Sequence, residues 1–129
     1  MPTPFTYKKL EEVEDSSPKF GLSELQEARF ATADLNAVQT GVSLHRLKAG
    51  KRQGFGHRHE QAEEVYVVLS GAGRIKLDDE TVEVAPFDAI RVAPEVTRGF
   101  EAGPDGLELV AFGPRHEGDG ELVWEGFWE

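Results

Sequence analysis

The fold is decided by residues 54–71, which read GFGHRHEQAEEVYVVLSG. His57 and His59 are two residues apart, so on an extended strand their side chains lie on the same side, with Cα atoms about 6–7 Å apart. Four residues compatible with a turn follow, and Glu64 then opens the strand pattern VYVVL at 65–69. A carboxylate from the neighbouring strand therefore joins the two imidazoles. This ligand set suits Mn, Fe, Ni, Co or Zn and leaves coordination positions for a substrate or water.

The same residues carry a family resemblance. The stretch resembles the first motif of the cupin superfamily, of the small single-domain (cupin 2) type, which reads His-x-His, four residues, Glu, six residues and Gly. The chain matches this pattern at His57, His59, Glu64 and Gly71. The resemblance covers about residues 42–112 and implies an all-β fold, a single cupin jelly-roll β-barrel. It also implies that His57, His59 and Glu64 bind a divalent metal ion such as Zn, Mn, Fe or Ni.

The rest of the chain is typical of one all-β domain. A length of 129 residues predicts a single domain, 1–129, with one core. Short strand patterns recur at intervals of about 8–12 residues without helices between them, which is typical of a sandwich or small barrel. They lie at 42–47, 65–69, 74–77, 81–84, 89–92, 97–101 and 107–112. We expect turns at 70–73, 78–79 and 86–88, and a loop at 103–106.

An N-terminal extension and a C-terminal aromatic tail flank this core. Residues 5–13 are compatible with an edge strand, and the types of residues 15–18 predict a turn. Residues 23–28 are compatible with the start of a short helix, whereas 28–35 read equally well as a strand. The tail, 121–128, carries both tryptophans and predicts a final strand packed on the barrel. The alternative is an aromatic patch for a second subunit, because the resemblance also allows a homodimer.

Composition limits the classes of partner. The formal net charge of −10 argues against a nucleic-acid partner, because phosphate binding needs a basic surface. The chain has no cysteine, which excludes a disulfide framework and a thiolate metal site. No apolar run approaches the length of a membrane span, and residues 1–10 lack a signal-peptide core. We therefore expect a cytoplasmic protein that binds neither nucleic acid nor membrane.

The chain departs from the family at the second motif, which normally supplies a third metal-binding His. Arg98 occupies that position. An arginine cannot ligate a metal, because its guanidinium stays protonated and has no free lone pair. Two outcomes stay open. Either the metal stays bound and a substrate carboxylate lies between it and Arg98, or the metal is lost and Arg98 pairs with Glu64.

Other side chains are weaker candidates. Tyr66 shares the inward face of Glu64 by alternation, so we expect it to line the pocket and contact a substrate. His45 could replace the missing third ligand, but a lone His on a strand is more often a packed or rim residue. His116 lies in a Gly-rich polar loop, where we expect it to be exposed.

These observations lead to one main hypothesis and two alternatives. The main hypothesis is a small metal-binding cupin protein, a metal-dependent enzyme acting on a small anionic organic substrate that Arg98 and Tyr66 bind in the barrel. The first alternative is a metal-free cupin that binds or senses a small molecule, with Arg98 replacing the third metal His. The second is a scaffold that assembles through the tail. The fold alone does not choose among them, because this barrel hosts many unrelated functions.

Overall fold

The computed structural model describes residues 4–115 and 118–128. Eight antiparallel strands form one curled sheet, a jelly-roll β-barrel, in which β1, β2, β7, β3 and β8 are successive neighbours and β4 pairs with β5, β6 and β7. The strands are β1 Gln26–Phe30, β2 Thr40–Leu47, β3 Gly56–His59, β4 Glu64–Leu77, β5 Glu80–Val84, β6 Ala89–Val92, β7 Arg98–Pro114 and β8 Gly120–Val123. Two 3-10 turns, Leu10–Glu12 and Ser17–Phe20, precede them. Within the described residues, no helix is long and apolar enough to cross a membrane.

The long strands β4 and β7 correct two expectations. The predicted turn at 70–73 and the predicted loop at 103–106 both lie inside continuous strands. The glycines in these segments form bulges instead of reversing the chain. Pairing shifts between Val68 and Ser70 and again between Gly71 and Gly73. Gly71 has a φ of +74°, and a Cβ there would lie 2.1 Å from the carbonyl oxygen of Gly106, so this seam accepts no larger residue.

The predicted turns at 78–79 and 86–88 are confirmed, because β4 and β5 form a hairpin and β6 begins directly after the second turn. The core lies inside the barrel and is built from alternate residues of these strands. Val68, Ile75 and Leu109 are fully buried at its centre. Burial of one such side chain stabilises the fold by about 1.5–3 kcal/mol. The other members of the buried cluster are Leu47, Tyr66, Val84, Val92, Phe100, Ala102, Leu107 and Ala111.

The N-terminal extension closes one side of the barrel. The edge strand expected at 5–13 is wrong, since this segment contains only a 3-10 turn. Of the two possibilities for 23–35, the structure has a strand, β1, which pairs with β2. Asp15 fixes the preceding chain, because its Oδ1 accepts the backbone N–H groups of Ser17 and Ala28, each at 2.9 Å. The turn Ser17–Phe20 is thereby held over the barrel opening.

The C-terminal tail packs on the barrel, as expected. Its strand β8 pairs with β3, and Phe127 is buried against two glycines, Gly56 and Gly99. A Cβ added at either glycine would collide with the Phe127 ring. Trp124, by contrast, is half exposed. The prediction for His116 lies outside the described residues.

Candidate functional site

One cavity, of about 480 Å³, lies inside the barrel mouth. Its walls come from the 3-10 turn at Ser17–Phe20, from the segment before β3 and from strands β1, β2, β3, β4, β7 and β8. His57, His59, Glu64 and Tyr66 all line it. The sequence-predicted metal ligands and one predicted pocket residue therefore face a shared space.

Strand alternation and pairing bring the three metal-ligand candidates together. His57 and His59 lie on β3, with their ring centroids 5.3 Å apart. Glu64 begins β4, and its neighbour Glu63 points the other way, to an exposed ion pair with Arg91 at 3.2 Å. Glu64 is thus the carboxylate that faces the cavity, as its spacing from the histidines predicts.

The ligand atoms of these residues lie within 4.8 Å of one another. The Nε2 atom of His57 lies 3.1 Å from Glu64 Oε1, and the Nε2 atom of His59 lies 3.3 Å from the same oxygen. Ligands bound at about 2.1 Å to one ion, at tetrahedral or octahedral angles, are about 3.0–3.4 Å apart. The two distances to Glu64 Oε1 fall in this range, and the two imidazoles lie within 4.8 Å of each other at their ligand atoms.

Glu64 Oε1 is also the acceptor for two other groups. The Tyr66 hydroxyl donates to it at 2.7 Å, and Arg98 Nη2 donates at 2.8 Å. Burial would raise the pKa of Glu64, but the imidazoles of His57 and His59 and the Tyr66 hydroxyl stabilise the carboxylate. The net effect lowers the pKa of Glu64 far below its usual value, so the carboxylate is ionised at neutral pH.

Arg98 lies behind this carboxylate, with 0% of its surface exposed. Besides Glu64, its Nε donates to the Tyr66 hydroxyl at 3.1 Å, and its Nη1 donates to the Val96 carbonyl at 2.7 Å. Arg98 is not among the described residues that line the cavity. Its role in binding a substrate stays a prediction, and a substrate would have to displace one of these partners to reach the guanidinium.

Tyr66 contributes its ring and its hydroxyl to different tasks. The ring packs edge-on against Phe100 at 5.1 Å, so the side chain is nearly fully buried. Burial and the neighbouring Glu64 carboxylate raise the pKa of Tyr66 well above its usual value. The phenol therefore keeps its proton, which it donates to Glu64.

Asp119 is a site residue that the sequence reasoning missed. It is buried, and its carboxylate accepts the backbone N–H groups of Glu60, Gln61 and Ala62, each at 2.9 Å. Burial would raise the pKa of Asp119, but these three N–H groups lower it. Its Oδ2 lies 3.4 Å from Nδ1 of His59. The short Gly-Asp-Gly stretch at 118–120 was the available signal, because Asp in such turns often caps backbone N–H groups.

The donor set fits a divalent ion. Both ring nitrogens of His59 are buried, and neither makes a hydrogen bond of good geometry within the described structure. A buried imidazole without partners is costly, and a metal ion would satisfy one nitrogen while the Asp119 carboxylate faces the other. Carboxylates beside metal-binding imidazoles commonly fix the orientation of the ring.

His45 occupies a different wall of the cavity. Its Nε2 lies 2.8 Å from Ser43 Oγ, and its Nδ1 is buried without a hydrogen-bond partner. Burial, with a further contribution from nearby His57, lowers the pKa of His45 to about 4. The ring is therefore neutral at pH 7. It forms no part of the cluster of ligand atoms found among the described residues.

Comparison with known families and structures agrees with this architecture. A family model described as a cupin domain matches residues 43–112, more than half of the chain. No protein with a curated description matched the sequence.

Several solved structures share the fold. A cupin protein from Bacteroides fragilis is 24% identical with a TM-score of 0.72, over 91% of this chain and 89% of that one. Oxalate decarboxylase from Bacillus subtilis is 16% identical with a TM-score of 0.76, over 95% of this chain but 32% of that one. The polyketide cyclase RemF from Streptomyces resistomycificus is 20% identical with a TM-score of 0.72, over 95% of this chain and 86% of that one. At these identities the likeness is one of fold.

Proposed function

We propose that this chain, which belongs to the cupin family, is a small metal-binding protein that holds an organic molecule in its barrel beside the metal. The ligands of the divalent ion would be His57, His59 and Glu64. The observation that carries the proposal is the convergence of their three ligand atoms within 4.8 Å on the wall of a cavity. His59 supports it, because both of its buried ring nitrogens lack a hydrogen bond of good geometry among the described residues, and a metal ion would satisfy one of them.

A bound divalent ion would supply a Lewis acid or an oxygen-activating centre, and with it the basis for a metal-dependent enzyme. The residues of the chain have separate tasks around it. His57 and His59 provide two nitrogen donors, while Arg98 and Tyr66 donate hydrogen bonds to the Glu64 carboxylate and fix its orientation. Asp119 orients the loop that follows His59. Tyr66 holds a proton at its hydroxyl oxygen, facing the same cavity.

The hypothesis of a small anionic substrate depends on Arg98. A carboxylate that bridged the metal and the guanidinium would have to take the place of Glu64 or Tyr66 at Arg98. The present contacts support a positioning role for Arg98 more directly than a substrate contact. We therefore propose that Arg98 acts on the metal site through Glu64.

Elemental analysis of protein purified without chelator tests the proposal. We expect about one equivalent of a divalent metal per chain in the native protein, and near zero in the double variant H57A/H59A. His45→Ala is the matched control, because it removes a histidine of the same cavity that is not in the ligand cluster. It should leave the metal content unchanged. Native protein that is folded but essentially free of metal would contradict the proposal.

A metal-free binding or sensing protein is the second candidate, and one observation favours it. Arg98 already pairs with Glu64 at 2.8 Å and neutralises the carboxylate that a metal would use. Under this alternative, Arg98→His would free Glu64 and create metal affinity that the native chain lacks. If the native chain is metal-free and Arg98→His stays so under added Zn²⁺ or Mn²⁺, this explanation of the loss is wrong.

A further inference from the structure

Away from the cluster of ligand atoms, the cavity is lined mainly by apolar side chains. Phe20, Leu22, Phe30, Phe55 and Leu122 form most of this wall. Phe20 and Phe30 are each about half exposed, which is unusual for aromatic rings at a barrel opening without a partner. Phe55 contacts Phe20 edge-on at 6.1 Å and Trp124 at 4.6 Å, so the rings continue along the mouth.

His45 places a polar group on this apolar wall. Its ring contacts Phe30 edge-on at 5.6 Å, and Ser43 Oγ lies 2.8 Å from Nε2. The second nitrogen, Nδ1, is buried and has no partner. If Ser43 donates to Nε2, Nδ1 carries a proton and donates; if Ser43 accepts, Nδ1 accepts. A hydroxyl group satisfies His45 in either state, because a hydroxyl both donates and accepts.

Charge around the cavity disfavours a free anion on this wall. Among the described residues that line it, Lys19 is the one with a positively charged side chain, and its Nζ pairs with Glu14 at 2.9 Å on the exposed rim. The ionised Glu64 carboxylate faces the same space. His45 is neutral, because burial lowers its pKa to about 4. A buried carboxylate on this wall would find no opposite charge and would carry a large desolvation cost.

From this arrangement we propose that the cavity selects an uncharged aromatic molecule bearing a hydroxyl group, whose ring packs against the phenylalanines and whose hydroxyl bonds to His45 once the imidazole turns its buried Nδ1 towards the ligand. The inference rests on the proposed function only in taking the cavity as the binding site of an organic molecule. It does not require the metal.

The cavity volume sets the size of this molecule. A dry cavity of about 150 Å³ holds one benzene molecule. The cavity of about 480 Å³ therefore takes roughly two or three rings. This size lies within the usual range of small-molecule sites, about 300–1,000 Å³.

A matched series of three probes tests the inference on the native protein. The probes are 2-naphthol, naphthalene and 2-naphthoate, which share two rings and differ in carrying a hydroxyl, no polar group or a carboxylate. Dissociation constants would be measured by ligand-observed NMR titration at pH 7. We expect 2-naphthol to bind about three- to tenfold more tightly than naphthalene, the contribution of one net hydrogen bond. We expect 2-naphthoate to bind at least about tenfold more weakly than 2-naphthol.

The variant His45→Phe assigns the hydroxyl contact. It keeps an aromatic ring of similar size and removes the nitrogen, so the preference for 2-naphthol over naphthalene should disappear while naphthalene binding is retained. Ser43→Ala is the matched control, because it leaves Nδ1 in place and should keep most of the preference. If His45→Phe fails to fold, the order of the three probes on the native protein still decides the inference.

Three outcomes would overturn the inference: tighter binding of 2-naphthoate than of 2-naphthol, equal binding of 2-naphthol and naphthalene, or no binding of any probe. The metal content of the same samples is measured in parallel. Metal-free protein that binds 2-naphthol in the expected order refutes the proposed metal site and keeps this inference. Metal-loaded protein that prefers 2-naphthoate refutes this inference and keeps the proposed metal site.

Discussion

Two walls of one cavity differ in how their polar atoms are arranged. On the Glu64 wall, a single carboxylate oxygen accepts from Tyr66 and Arg98 and lies within 3.3 Å of two imidazoles. On the His45 wall, one buried nitrogen has no partner at all among mostly apolar side chains. The first wall is a charged network formed before any ligand arrives, in which both His59 nitrogens still lack a hydrogen bond of good geometry among the described residues. The second is complete only when a ligand is bound.

The largest expected effect is on the Glu64 wall. Glu64→Ala would leave the guanidinium of Arg98 buried without its opposite charge, at a cost of about 3–5 kcal/mol in the free energy of unfolding. Urea denaturation monitored by circular dichroism would measure it. Glu63→Ala is the matched control, because it removes the neighbouring carboxylate from an exposed ion pair and should cost at most about 1 kcal/mol.

Similar losses of stability in Glu64→Ala and Glu63→Ala would contradict the special role of the buried carboxylate. We expect Arg98→Met, added to Glu64→Ala, to restore part of the lost free energy of unfolding. Such a recovery would show that the cost arises from the unpaired charge and not from the missing side chain.

The next largest effect is the pH dependence of stability, to which His45 and Glu64 contribute in different pH ranges. The pKa of His45 is lowered from 6.5 to about 4 in the folded state, so the unfolded chain binds more protons between these values. Stability should therefore fall as the pH drops from about 6.5 to about 4, by up to about 3 kcal/mol. His45→Phe should flatten the unfolding free energy in this window, measured by urea denaturation at each pH.

Glu64 acts in a lower window. Because its folded pKa lies below the ordinary value of 4.5, its contribution is present above pH 4.5 and is lost as the pH falls through the folded pKa. A His45→Phe protein should thus keep its acid sensitivity below about pH 4.5. An unchanged slope above that pH would contradict the neutral state of His45.

The smallest expected effect concerns Asp119. Asp119→Asn should weaken metal affinity by about 10–100-fold, because a carboxylate that orients a metal-binding imidazole is replaced by an amide. Competition with a chromophoric chelator would measure the affinity. Asp15→Asn serves as control, since Asp15 also caps two backbone N–H groups but is not among the described residues that line the cavity. Equal losses in both variants would assign Asp119 a purely structural role.

The sequence allowed the barrel and the inward set of side chains to be predicted for one physical reason. Period-two alternation fixes which side of a strand a residue faces, and it placed His57, His59, Glu64 and Tyr66 correctly around one space. The cupin resemblance supplied the fold, which the family match confirms. These predictions needed only local geometry and a known spacing.

The remaining features depend on contacts between distant segments. Asp119 reaches the loop after His59 across more than fifty residues, and its Gly-Asp-Gly context predicts a capping Asp but not which N–H groups it caps. The bulges at 70–73 and 103–106 were mistaken for a turn and a loop, because glycine-rich segments have the same composition in these cases. The direction of the Arg98 side chain depended on three backbone carbonyls and Tyr66, which only the folded chain brings together.

The burial of Arg98 also bears on folding. Arg98 and Glu64 begin separate strands, 34 residues apart along the chain. Neither charge can leave water alone without a penalty of several kcal/mol. Burial of the Arg98 end of β7 is therefore favourable only together with the Glu64 end of β4, which couples the docking of these two strands.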